Sequence, residues 1–208
     1  MKKIRVLVWG DSIAATGDDN WVVRAQRTFD VSINPGVPVE FINIAQCGLA
    51  AVWGKTFFEE KVKPVSPDYV IIQFGFNDLR HPVECGGEAI GAPEEYRSAI
   101  LEMVQNARSA GAEVLVIGNH DVPFGDLRLY PTGLNAWETL ALYRSLAEQA
   151  AAEGGAEYLD MAAAMSGRIT PEAATCDGTH LSDLGKYFYN AIISTWILKK
   201  ILKKNERN

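Results

Sequence analysis

Apolar residues along this chain fall into two kinds of run. The first kind is short, continuous and rich in β-branched side chains: Ile4–Trp9, Val39–Asn43, Tyr69–Phe74, Glu113–Gly118 and Ala156–Asp160. A run without polar alternation fits a strand covered on both faces, as strands are in parallel sheets. The stretches between these runs are long enough to hold the crossover helix that parallel neighbours need. The pattern predicts an α/β fold with five parallel strands.

The second kind recurs every three to four residues. Ile100, Val104 and Ala107 do so within Glu94–Ala110, after Pro93 at a first-turn position, and Leu140, Tyr143, Leu146 and Ala150 repeat the spacing. Gly111 and Gly154-Gly155 follow, where glycine ends a helix by taking the left-handed conformation. A last helix is predicted from Ser182, a capping residue, to about Lys200, among lysines that suit a negative helix end. Arg80–Ala92 and Asp121–Asn135, interrupted by prolines and glycines, read as loops. Both follow the carboxyl end of a strand, the edge where open α/β sheets bind ligands, so both are candidate walls of a cleft.

With 208 residues and 48% apolar content, the chain can close one sizeable core. There is no repeat or linker, so a single domain spanning residues 1–208 is expected. The formal charge of −6 arises from interspersed acids and bases. It leaves no broad positive field for a phosphate backbone, and nucleic acid is not an expected partner. Cys47, Cys85 and Cys176 fit neither a disulfide framework nor a zinc site. No apolar run approaches the ~20 residues of a membrane span, and the one after Met1-Lys2-Lys3 is too short for a signal peptide. A cytoplasmic location is the expectation. Ile197–Lys204 is basic and amphipathic, which fits a solvated helix end better than a membrane contact.

Chemistry concentrates after the strands. Gly10-Asp11-Ser12 follows the first, where a turn can lift the Ser12 hydroxyl clear of the sheet; serine and aspartate are also ordinary turn residues. Asp177-Gly178-Thr179-His180 precedes the last helix. Its spacing lets a carboxylate meet one imidazole nitrogen while the other faces a substrate, the arrangement a serine hydroxyl needs in order to lose its proton. A turn capped by Asp177 is the plainer alternative. Acyl transfer also needs donors aimed at a developing oxyanion. Gly48, whose backbone N–H a ligand can approach closely, and Asn77, with its uncharged amide, are candidates, although either is equally at home in a turn after a strand. Asp11, Asp78 and His120 are candidate substrate contacts, His120 with Asp121 at the rim of the cleft. No ligands stand at metal-site spacing, so neither metal nor cofactor is expected.

Taken in order, Gly10-Asp11-Ser12, Gly48, Gly75-Phe76-Asn77-Asp78 and Asp177-Gly178-Thr179-His180 resemble the blocks of the SGNH hydrolases, the GDSL-type esterases, across nearly the whole chain. The resemblance implies a flavodoxin-like three-layer α/β/α sandwich and a cofactor-free ester hydrolase. It further implies Ser12, His180 and Asp177 as the catalytic triad, with the Ser12 N–H, the Gly48 N–H and the Asn77 side chain as oxyanion hole. Gln73–Asp78 and Asp177–Ser182 look most like carbohydrate acetylesterases of the rhamnogalacturonan type, implying removal of short acyl groups from a carbohydrate or small-molecule ester. A lysophospholipase-like or thioesterase-like enzyme and a non-catalytic sugar-binding module are the rival readings. The serine block departs from the family in continuing Ile13-Ala14-Ala15, and Cys47 beside Gly48 reads as a small buried thiol.

Overall fold

A computed structural model describes residues 3–82, 87–127 and 129–206. Cys85 and part of the Arg80–Ala92 loop lie outside the described residues. The strands are β1 (Ile4–Gly10), β2 (Val39–Asn43), β3 (Tyr69–Gln73), β4 (Glu113–Gly118) and β5 (Glu157–Asp160). They form one parallel sheet in the order β2-β1-β3-β4-β5, with Gly10 beside Gln73 and Gln73 beside Ile117. Every residue of β3 is buried, as the unbroken apolar run demands of a central strand, while the edge strands β2 and β5 are only partly covered.

The helices are α1 (Ser12–Ala15), α2 (Trp21–Val31), α3 (Ala51–Gly54), α4 (Pro93–Ser109), α5 (Ala136–Gly154), α6 (Met161–Met165), α7 (Pro171–Ala174) and α8 (Asp183–Asn205). The crossover from β1 to β2 runs against the direction of those from β3 to β4 and β4 to β5. With right-handed connections, their helices fall on opposite faces of the sheet. One layer pairs α2 with α8, where the rings of Trp21 and Tyr189 lie 6.2 Å apart and Asn190 donates to the Thr28 hydroxyl at 3.0 Å. The other packs α4 on α5, with Tyr96 and Tyr143 at 4.9 Å. Ile193, Ile197 and Ile201 of α8 are fully buried, and Lys200 pairs with Glu113 and Glu157. The basic end of α8 therefore has an apolar stripe facing the core. Among the described residues, no helix is long and apolar enough to cross a membrane.

This strand order reverses direction between β1 and β3, and the crevice beyond their carboxyl ends is where such sheets bind ligands. Asp11-Ser12 and Phe76-Asn77 emerge there. The two turns are joined at their base by Asp11 N–H donating to the Gln73 carbonyl at 3.2 Å.

Candidate active site

Ser12 is the first residue of α1. The Asp11 side chain caps this turn, accepting from Ile13 N–H at 2.9 Å, which fixes where the chain leaves β1. The Ser12 side chain keeps 8% exposure at the floor of a cavity, and its Oγ lies 2.9 Å from His180 Nε2 across 168 residues of chain. His180 Nδ1 lies 2.7 Å from Asp177 Oδ2. Because the carboxylate only accepts, Nδ1 carries the ring proton, and Nε2 is left to accept from the serine hydroxyl.

The second oxygen of Asp177 accepts from Thr179 N–H at 3.0 Å and His180 N–H at 2.7 Å, so the four-residue turn closes on its own acid. Burial pushes the Asp177 carboxyl upward, but the hydrogen bonds from the His180 ring and the two backbone N–H groups outweigh it, leaving the group at about 2. The acid is half exposed, so its partners, rather than deep burial, keep it ionised.

His120 holds the same turn from behind. It is buried, with Nε2 2.9 Å from the Thr179 carbonyl and Nδ1 2.8 Å from the Tyr189 hydroxyl. Burial lowers its pKa to about 4, so the ring is neutral, donating to the carbonyl from Nε2 and accepting from Tyr189 at Nδ1. The expectation of His120 as a substrate contact at the rim is corrected: with 1% exposure, it supports the turn that carries His180.

Two further turns complete the site. Gly75 has φ +132°, a conformation open to glycine, and a Cβ there would stand 3.2 Å from Asn119 Nδ2. It starts the turn that presents Asn77, which is buried to 7% exposure and lines the cavity with Ser12. Gly48 has φ +77° and is exposed. The two turns are stitched together: Asn77 Nδ2 donates to the Leu49 carbonyl at 3.1 Å, and Asp78 Oδ2 accepts from Ala51 N–H at 3.0 Å. One amide hydrogen of Asn77 is thereby fixed, and the other is left for a ligand.

Asp78 is fully buried, and burial raises its pKa to about 6 against the backbone hydrogen bonds from Ala51 and Val52. Asp11 is also fully buried, and burial, reinforced by the nearby Asp78, raises it to about 7. Its Oδ1 accepts from Gln73 Nε2 at 3.3 Å, and Gln73 in turn donates to Asn119 Oδ1 at 2.6 Å. Asp11 Oδ2 has no partner among the described residues. Neither acid reaches the cleft, so the expectation of substrate contact is corrected for both: they are internal struts of the turns that carry Ser12 and Asn77. Cys47 is likewise corrected. The thiol is exposed, 3.7 Å from the Thr16 hydroxyl.

The cavity over Ser12 has a volume of about 310 Å³ and also takes in Asn77, Asp177 and His180. Its walls include Arg80 from one predicted loop and Val122 and Tyr130 from the other, with Phe76, Leu79 and Leu140. Sequence reasoning placed the two loops at the cleft but assigned no wall position to Arg80, Leu79, Val122, Tyr130 or Leu140, and Phe76 entered only within the asparagine block. Arg80 was the most accessible of them, two residues past Asp78. Tyr189, which orients His120, carried no signal because it sits inside an ordinary helix, and Gln73, which donates to Asp11, entered only as the first residue of the Gln73–Asp78 block. A second cavity of about 260 Å³ lies beyond His120 and Asp121, lined by Met165, Ile169 and Pro171, and contains none of Ser12, Asn77 and His180.

The strand order and a site at its reversal define an α/β protein of the doubly wound class, built to hold a small ligand at the carboxyl edge. Residues 8–187 match the GDSL-like lipase/acylhydrolase family, and the chain belongs to that family of ester hydrolases. Its fold is similar to that of a lipase/acylhydrolase from Enterococcus faecalis, with 20% identity, 95% of this chain and 96% of the other covered, and a TM-score of 0.76. It is also similar to a putative acylhydrolase from Bacteroides fragilis, with 22% identity, 95% and 88% coverage and a TM-score of 0.72. An acetylxylan esterase from Geobacillus stearothermophilus, in the form of a catalytic mutant, shares 19% identity over 95% and 94% of the two chains with a TM-score of 0.74. No curated protein sequence matches the chain.

Proposed function

We propose that the chain hydrolyses carboxylic esters through an acyl-enzyme intermediate on Ser12, and that its substrates are short acyl esters of a carbohydrate or small molecule. The observation that carries the reading is the unbroken hydrogen-bond chain from Asp177 through His180 to Ser12, opening into a cavity that also holds Asn77. Ser12 Oγ attacks the ester carbon as its proton passes to His180 Nε2. The Ser12 and Gly48 N–H groups and the free Asn77 amide hydrogen receive the oxyanion. Collapse of the intermediate breaks the bond to the alcohol, which leaves with the proton from His180. A water molecule then gives a proton to His180 and attacks the acyl-Ser12 carbon, releasing the acid and restoring the hydroxyl. Asp177 keeps the imidazole in the required tautomer and stabilises the imidazolium.

The cavity volume of about 310 Å³ supports a short acyl group, being at the small end of the range for ligand sites. The Geobacillus neighbour, an acetylxylan esterase, points the same way. One observation favours longer chains: Phe124, Leu127 and Leu129 are exposed in the loop that supplies Val122 and Tyr130, giving an apolar surface beside the cavity. A fluorophosphonate probe is expected to label the wild type and not Ser12→Ala, which keeps the wild-type melting transition. Acetylated sugars are expected to be better substrates than long-chain nitrophenyl esters. Labelling of Ser12→Ala at the wild-type rate defeats the mechanism, and preference for long chains transfers the assignment to the second reading.

A further inference from the structure

Arg80 is a cation on the wall of the cavity that holds Ser12 and His180. Its main chain is pinned by the turn that presents Asn77: Arg80 N–H donates to the Asn77 carbonyl at 3.2 Å, and Ile90 N–H donates to the Arg80 carbonyl at 2.9 Å. The base of the side chain is therefore held at a set place relative to the oxyanion donors. Its guanidinium engages no acid or acceptor among the described residues. By contrast, Arg24, Arg27, Arg97 and Arg144 are each paired with a carboxylate, and Arg5 and Arg108 donate to backbone carbonyls. The other charged group on the wall, Asp177, is committed to the His180 ring and two backbone N–H groups.

Arg80 is an exposed residue of the cavity wall, so its charge is partly screened by solvent, but the planar fork of an uncommitted guanidinium matches the two oxygens of a carboxylate or phosphate on a molecule bound there. We propose that Arg80 is an anion subsite of the reaction centre, selecting esters that carry a carboxylate or phosphate on the part of the substrate lying beside Asn77. The inference rests on Ser12 being the nucleophile. It extends that reading by naming a substrate class: acidic esters, such as an acylated sugar acid, in place of neutral ones. The overall charge of −6 opposes long-range attraction of anions, so the selection is local and should appear mainly in KM.

The test compares matched esters. On the alcohol side these are 4-acetoxybenzoate, the phosphate analogue 4-acetoxyphenyl phosphate and the neutral 4-acetoxybenzamide; on the acyl side, nitrophenyl monosuccinate against nitrophenyl butyrate. The wild type is expected to favour the anionic member of at least one set by about tenfold or more in kcat/KM, the scale of one charge-assisted hydrogen bond. The carboxylate and phosphate arms tell which anion is preferred. Arg80→Gln and Arg80→Ala are expected to cost the anionic member at least about tenfold more than its neutral partner, and Arg80→Lys to recover part of the difference. Two Arg80 variants of different bulk, each checked by thermal unfolding, keep a folding defect from imitating the result. Fluorophosphonate labelling reads Ser12 without requiring the anion. Labelling together with equal treatment of anionic and neutral partners by wild type and variants overturns the Arg80 subsite alone, whereas absence of labelling overturns the nucleophile and the subsite together.

Discussion

His120 Nε2 donates to the carbonyl of Thr179 at 2.9 Å, one residue before His180, so the position of one imidazole depends on another that is buried behind it. Tyr189 fixes the tautomer through Nδ1 at 2.8 Å. In His120→Phe the ring volume is retained, but a buried hydroxyl and a carbonyl lose their partners, at an expected cost of about 1–3 kcal/mol in denaturant unfolding. Displacement of the His180 turn should also lower kcat by about tenfold or more, because small shifts of a general base are costly. A variant with normal kcat would show that the turn is held in place without His120.

The pH dependence of stability separates His120 from Asp11. A histidine held at about 4 in the fold and near 6.5 when unfolded contributes nothing above pH 6.5. As pH falls from there toward 4, the unfolded chain takes up a proton that the folded one refuses, and stability is lost. Chemical unfolding of His120→Phe between pH 4 and 8 should therefore show a smaller acid loss than the wild type.

Asp11 acts with the opposite sign. Its folded value of about 7 lies above the unfolded 3.8, so its contribution is fully present below pH 3.8 and is lost as pH rises through 7. Asp78, raised to about 6, acts in the same sense. Asp11→Asn keeps an oxygen to cap Ile13 but removes this titration. The variant is expected to lose stability on acidification from pH 7 to 4 more steeply than the wild type, measured as the denaturation midpoint. Parallel curves would mean that Asp11 is not protonated in the folded protein.

Asp177, at about 2, stays ionised throughout the working range, so its effect on the reaction should not fade toward pH 5. Asp177→Asn is expected to lower kcat by about 10²- to 10⁴-fold with little change in KM, since the amide favours the wrong imidazole tautomer. The acid is half exposed, which favours the lower end of that range. A loss confined to KM would assign Asp177 to binding instead.

Asn77→Ala removes the amide donor and the bond to the Leu49 carbonyl. The expected loss is about 10²- to 10³-fold in kcat, the usual scale for one oxyanion donor, with KM changed far less. Steady-state kinetics on a short ester, with a melting curve to confirm folding, would decide it.

The strands were legible almost to the residue as short runs rich in apolar and β-branched side chains: Val39–Asn43, at a partly covered edge, and Glu113–Gly118, buried after its first residue, have the predicted bounds. The last helix runs beyond the expected end near Lys200 to Asn205, since its apolar stripe continues through Ile201. Less visible was α2, whose buried Trp21, Val22, Ala25 and Phe29 are interleaved with Arg24, Gln26, Arg27 and Thr28. Asp11, Asp78 and His120 were read as cleft residues because polar side chains after strands usually face solvent. Here each is turned inward by backbone groups that need a partner.

The residue sequence alone determined the parallel α/β layout and the identity and order of the serine, glycine, asparagine and aspartate–histidine blocks, because these follow from local periodicity and short spacings. Only the tertiary structure decided that a hydroxyl and an imidazole 168 positions apart stand 2.9 Å from each other, that His120 faces inward and Cys47 outward, and that Arg80 lines the same cavity as Ser12. Those facts depend on how distant turns stack at the reversal between β1 and β3, and chain-local patterns carry no record of that stacking.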